Sequence, residues 1–175
     1  KGVFIFEEPY LGSMYENISY DQLYDEHIYM FSATAMMKIF KMYGFELNNV
    51  KVLNTHGGSI RYIITRAKKN IINKNVFKIL KYEDIKDISN IDGCIKFKKN
   101  CEISKEKMQL KIRKLKEKGK KICGYAATAK STTVLNYCNI GPDLIDCIYD
   151  TSENKINKFS PGMHIPIVNM KNFKN

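Results

Sequence analysis

Residues 3–6 form an unbroken apolar run, the pattern of a buried strand. Residues 9–31 show no such pattern and read as a loop rich in Tyr and acids. Ser32 then offers an N-cap oxygen, and Phe31 before it and Met36 in the first turns are placed to form a hydrophobic staple. Met36, Ile39, Phe40 and Tyr43 share one helical face, and Gly44 stops that helix. Residues 50–53 and 60–65 predict two strands joined by the glycine turn THGGS. The polar stretch 67–75 is expected as the boundary between two units, residues 1–68 and 75–175.

Beyond that stretch the period changes. Residues 77–100 predict helix, interrupted near Asp92 and Gly93. A second helix is expected from an N-cap at Ser104, with Ile103 and Met108 as its staple. Met108, Ile112 and Leu115 form its apolar stripe, and Gly119 ends it. A strand over 121–125, a loop over 126–130, a helix over 131–138 and a strand over 144–149 then make a βαβ unit, with a third strand expected over 164–168. The second half is therefore α/β with a parallel sheet.

Composition supports a folded chain. Of 175 residues, 44% are apolar and 27% charged, which disfavours wholesale disorder. No apolar stretch approaches the ~18 residues of a membrane span, so no membrane partner is expected. No signal peptide is expected ahead of the first strand. Five cysteines without a CxxC pair support neither a disulfide framework nor a structural zinc site. Three of them sit in apolar surroundings that predict buried reduced thiols, and a cytoplasmic location is expected.

The net charge of +11 raises the question of a nucleic-acid partner. Residues 96–121 alone carry 12 Lys or Arg against three acids. That segment reads as one helix whose lysines, Lys105, Lys107, Lys111, Lys114 and Lys118, lie opposite the apolar stripe and face water. It has no aromatic interleaving beyond Phe97 and no RNA-binding motif, so nucleic acid is not expected as a partner.

Three local constellations carry candidate chemistry, and each contains or neighbours one of few polar specialists. Tyr20, Tyr24, Asp25, Glu26 and His27 gather titratable groups in eight residues. A His beside acids suits general-base work, and a phenol alongside can donate to a developing enolate. The alternative is a polar surface loop before the Ser32 cap. The second constellation runs from Thr55 through His56, Gly57, Gly58 and Ser59 to Arg61, where paired glycines allow close backbone approach. A plain hairpin turn is the alternative, and the pattern alone slightly favours it. The third runs from Gly124 to Thr133, between strand and helix, with Lys130, Ser131 and Thr132 at a helix N-terminus suited to a diphosphate. It is not a GxGxxG fingerprint. Asp150 closes the next strand, where a doubly wound sheet places an acid facing its ligand. The three histidines, His27, His56 and His164, match no zinc spacing, so no metal is expected.

The segments YDQLYDEHIYMFS, THGGSIRY, GYAATAKSTTVLNYCNIGPDLID and PGMHIPI, in this order, resemble the S-adenosylmethionine-dependent sugar C-methyltransferases. Those enzymes methylate a ring carbon of nucleotide-linked keto-deoxysugars. The resemblance implies the end of a Rossmann-like methyltransferase domain over residues 1–68, then a partial α/β domain over 75–175. It implies that the S-adenosylmethionine-binding loop and a zinc-binding N-terminal module lie outside this chain, which would be a fragment of the longer enzyme. By the same resemblance His27 is the catalytic base, with Tyr24 and Glu26 beside it. The base forms an enolate that takes the methyl group. Tyr20, His56, Gly57, Gly58, Arg61, Lys130, Ser131, Thr132 and His164 fall to the nucleotide-linked sugar. The family often has His where this chain has Asp25, and Gly where it has Ala126 and Ser131. A nicotinamide-dependent oxidoreductase and a noncatalytic basic binding module are the alternative readings.

Overall fold

A computed structural model describes residues 2–67 and 71–173. Residues 68–70, within the expected boundary stretch, lie outside the described residues. The chain divides into two compact units, one of Lys1–Gln22 and His27–Asn100, the other of Leu23–Glu26 and Cys101–Asn175. The fold class is mixed α/β, with one antiparallel and one parallel three-stranded sheet. No helix among the described residues is long and apolar enough to cross a membrane.

The first unit holds β1 (Val3–Pro9), α1 (Leu11–Asn17), α2 (Ala33–Met42), β2 (Phe45–Leu53), β3 (Ser59–Arg66) and α3 (Lys74–Ile85). The sheet order is β1-β3-β2, with both pairings antiparallel. Strand alternation puts Ile60, Tyr62 and Ile64 of central β3 on one face, each at most 1% exposed. They meet Met36 of α2, Val76 of α3, and Leu47 and Val50 of β2 in one core. Burying each such side chain contributes roughly 1.5–3 kcal/mol. The edge strand departs from expectation. Val3, Phe4 and Ile5 are each more than half exposed, so the first half of β1 lies outside the core among the described residues.

Residues 9–31 are not a plain loop. They contain α1 and a 3-10 turn at Tyr20–Gln22. Helix α1 has no side-chain N-cap, so its start carries no local sequence signal, and it closes on Ile18 in the left-handed region. Tertiary packing holds it instead: Gly12 lies under the Tyr10 ring, and Met14 is buried. The start of α2 follows the sequence. The Ser32 hydroxyl accepts from the Ala35 amide at 3.0 Å, and Gly44 takes φ +75 just past the end.

The long helix α4 (Ile91–Glu117) corrects two boundaries. The chain breaks before it, between Ile85 and Ile91, rather than at Asp92–Gly93. Asn90 caps α4, its side-chain oxygen accepting from the Gly93 amide at 3.0 Å. Gly93 marks close approach, since a Cβ there would lie 1.9 Å from the Asp87 carbonyl oxygen. Ser104 is no N-cap but sits mid-helix. The contacts of the helix carry through it: Phe97 stacks on Tyr15 at 4.5 Å, Cys101 is buried, and Met108 and Ile112 are half-buried. Leu115 is 38% exposed, so the expected inner stripe ends before it. Lys107, Lys111, Lys114 and Lys118 are exposed, whereas Lys105 is half-buried over the Tyr137 ring at 5.1 Å.

The second unit carries β4 (Cys123–Tyr125), α5 (Ala129–Tyr137), β5 (Cys147–Asp150) and β6 (Ile167–Asn169). Both pairings in the order β4-β5-β6 are parallel, so the expected βαβ unit is present. Its helix starts two residues early because Thr128 and Ser131 form a reciprocal capping box. The last two strands start three residues later than expected, β5 at Cys147 and β6 at Ile167. His164 instead forms a turn at φ +54. Among the five cysteines, Cys101 and Cys138 are buried, Cys147 is half-buried, and Cys94 and Cys123 are exposed.

Candidate functional site

In the first unit, the end of β1 is the anchor. Phe31 bridges to Tyr10, and its carbonyl accepts from the Leu11 amide at 3.1 Å. That bridge returns the segment from His27 alongside β1. The His27 Nδ1 lies 3.8 Å from a carboxylate oxygen of Glu8, with the imidazole side chain 27% exposed. Glu8 was not a sequence candidate, since it lies far from the YDEH cluster and only the bridge brings it close. Tyr24 and Glu26 make a separate pair grouped with the second unit, where Thr133 donates to the Leu23 carbonyl at 2.8 Å. Desolvation, then the Glu26 charge and hydrogen bond, raise the Tyr24 phenol above its ordinary range.

The glycine turn is tightly engaged. Gly57 and Gly58 take φ +87 and +118, which only glycine adopts without strain. A Cβ on Gly58 would sit 2.3 Å from the Ser13 Cβ, and one on Gly57 would sit 2.5 Å from the Gln22 amide nitrogen. The Gln22 amide donates to the His56 carbonyl, and the Tyr10 amide donates to Gly58 at 3.2 Å. His56 is exposed and Tyr20 is buried. Arg61 donates to Glu7, directly opposite on β1, at 3.0 Å. The Ser59 hydroxyl first, then Arg61 and Thr55, hold the Glu7 carboxyl below its usual range.

In the second unit, the loop from β4 into α5 borders a hollow of about 300 Å³. Thr128, Ser131 and Thr132 line it with Lys155 and Lys158. Lys130 is half-buried in the first turn of α5. The Ser131 hydroxyl is committed to the cap, accepting from the Thr128 amide at 2.9 Å and donating to the Thr128 carbonyl at 2.8 Å. Asp150 organises the loop, accepting from the Ser152 amide at 2.7 Å and the Ala127 amide at 2.8 Å. The Ser152 bond first, with the Ala127 bond behind it, lowers its carboxyl below the usual range. Ala126 takes φ +66 with its amide on the Tyr149 carbonyl, a left-handed position that Gly would hold at lower cost. His164 is exposed, its amide donating to the Ser160 carbonyl at 3.0 Å. Lys155 and Lys158 were not sequence candidates. Their signal is position: they follow β5, at the strand ends where parallel sheets bind ligands.

Among the described residues, no three His, Cys, Asp or Glu side chains gather as a metal site requires. The family model of the C-methyltransferase C-terminal domain matches residues 54–175. C-methyltransferase NovU of Streptomyces niveus is 28% identical over 167 residues, covering 95% of this chain. Those residues span 40% of the relative's own length.

Proposed function

The chain belongs to the family of C-methyltransferase C-terminal domains, and we propose on that basis that it is the C-terminal portion of an enzyme methylating a ring carbon of a nucleotide-linked keto-deoxysugar. Residues 1–68 close the methyltransferase domain and 75–175 help hold the sugar nucleotide. The observation that supports the reading is the His27–Glu8 pair. A histidine beside a carboxylate suits general-base work. The keto group acidifies the neighbouring C–H of the sugar. His27 takes that proton as general base, leaving an enolate.

S-adenosylmethionine is the methyl donor such an enzyme uses. The paired glycines here do not fit it, because Ser13 and Gln22 fill the space beside Gly58 and Gly57. The proton step is the part this reading gives to this chain.

The complete enzyme, given a nucleotide-linked keto-deoxysugar and S-adenosylmethionine, should yield a sugar carrying one new carbon–methyl bond by NMR. Methylation on oxygen or nitrogen, or none across a panel of such sugars, would overturn the reading.

A second test separates the two basic regions. Reversing the charge at Lys107, Lys111 and Lys114, all exposed on α4, should leave KM for the sugar nucleotide nearly unchanged. Lys130→Ala, at the N-terminus of α5, should raise KM, because a cation there supports a diphosphate. The reverse pattern would assign the ligand to α4.

A further inference from the structure

Cys123 opens β4 and Cys147 opens β5, and the two residues are in direct register across the parallel pair. Their Sγ atoms lie 3.6 Å apart. We propose that Cys123 and Cys147 form a vicinal dithiol, a site of reversible thiol–disulfide exchange with small-molecule disulfides.

Position supports exchange. Strand β4 lies at the sheet edge, so Cys123 is exposed to an incoming reagent, while Cys147 is half-buried behind it. Opposed residues on neighbouring strands lie about 4.8 Å apart, inside the Cα range of a disulfide. Closing the sulfurs to bonding distance needs an approach of roughly 1.5 Å, within reach of side-chain rotation and a small strand shift. In a parallel pair the Cβ atoms stay near the strand spacing, wider than the ~3.8 Å of a relaxed disulfide. The bond that forms is strained and exposed, which makes it readily reduced again.

The exchange balances as follows. Cys123 loses its proton to solvent, and its thiolate attacks one sulfur of the small disulfide and expels one thiolate. A mixed disulfide remains on Cys123. Cys147 then ionises, attacks the Cys123 sulfur and expels the second thiolate. Two protein thiols are oxidised, and one small disulfide is reduced to two thiols. Burial, first among the causes, raises the Cys147 thiol above its ordinary range, so it acts as the resolving partner rather than the entry point. The closed loop contains α5 and the Ala126–Thr128 turn, whose Ala127 amide is already held by Asp150 at the far end of β5. Oxidation thus ties the β4–β5 pair at both ends.

The test treats the full chain with excess oxidised glutathione at mildly alkaline pH, then denatures it, alkylates free thiols and maps peptides. The expected result is one intramolecular link joining the Cys123 and Cys147 peptides, lost on treatment with dithiothreitol, with neither of these two cysteines recovered alkylated before reduction. In Cys147→Ser, Cys123 should stop at a stable glutathione adduct. Recovery of both cysteines alkylated, under conditions that modify exposed Cys94, would overturn the proposal. So would a wild-type chain that stops at the Cys123 adduct, or links formed only between chains.

Discussion

His27→Asn in the complete enzyme is expected to lower turnover by about 10²-fold or more, the scale of a lost general base. Asn keeps a polar group of similar reach but cannot take the proton. Binding of the sugar nucleotide should change little, since the imidazole acts at the reacting carbon. The proton step can be read without methyl transfer. In deuterated water, with the methyl donor left out, wild-type enzyme should exchange the sugar hydrogen next to the keto group, and His27→Asn should not. Glu8→Gln keeps the shape and removes the charge beside Nδ1, so it should give a smaller loss, seen in kcat rather than KM. Turnover within a few-fold of wild type in His27→Asn would remove His27 as the base and leave Tyr24 or Glu26 as the candidate.

Glu83→Ala is expected to destabilise the first unit by about 3–5 kcal/mol. The Glu83 side chain is fully buried on α3. Its carboxylate accepts from the Ala33 amide at 2.6 Å, the Thr34 amide at 2.8 Å and the Tyr10 hydroxyl at 3.0 Å. The Thr34 hydroxyl also donates to it. With Ser32 taking the Ala35 amide, every amide in the first turn of α2 is satisfied, and the carboxylate sits at the positive end of the helix. Truncation leaves buried Ala33 N–H and Tyr10 O–H groups without an acceptor, each costing ~1–3 kcal/mol, and opens a cavity. Glu83→Gln keeps one acceptor oxygen but turns an N–H toward donors, so it should fall between wild type and Ala. Urea unfolding of the chain measures this. A Glu83→Ala midpoint close to wild type would show that the carboxylate does not hold α2 in place.

Much of the local structure was legible. Ser32, Gly44 and Gly119 mark helix ends by chemistry that acts within one turn, and each stands at the end it predicts. The βαβ order followed from the apolar runs and the loop and helix expected between them. Gly93 shows where such signals mislead. A glycine in a helical pattern reads as a break, yet here it admits the Asp87 carbonyl against the first turn of α4. Ser104 misleads likewise: its hydroxyl chemistry suits a cap, but Phe97 and Cys101 before it are already packed, so the helix has no reason to begin again.

The sequence by itself determined the chemical inventory: a His among acids, a glycine pair, a basic strand-to-helix loop, and the family to which their order points. It determined element types wherever the decisive contact lies within about four residues, because periodicity and capping act over that range. Only the tertiary structure decided which groups meet. Glu83 reaches Tyr10 across 73 positions and the start of α2 across 50. Glu8, not a neighbour in the YDEH cluster, is the carboxylate facing the His27 Nδ1. Cys123 and Cys147 meet only through the register of two strands. Such pairings depend on strand register and helix packing, set by the summed burial of many side chains, and no short-range pattern along the chain encodes them.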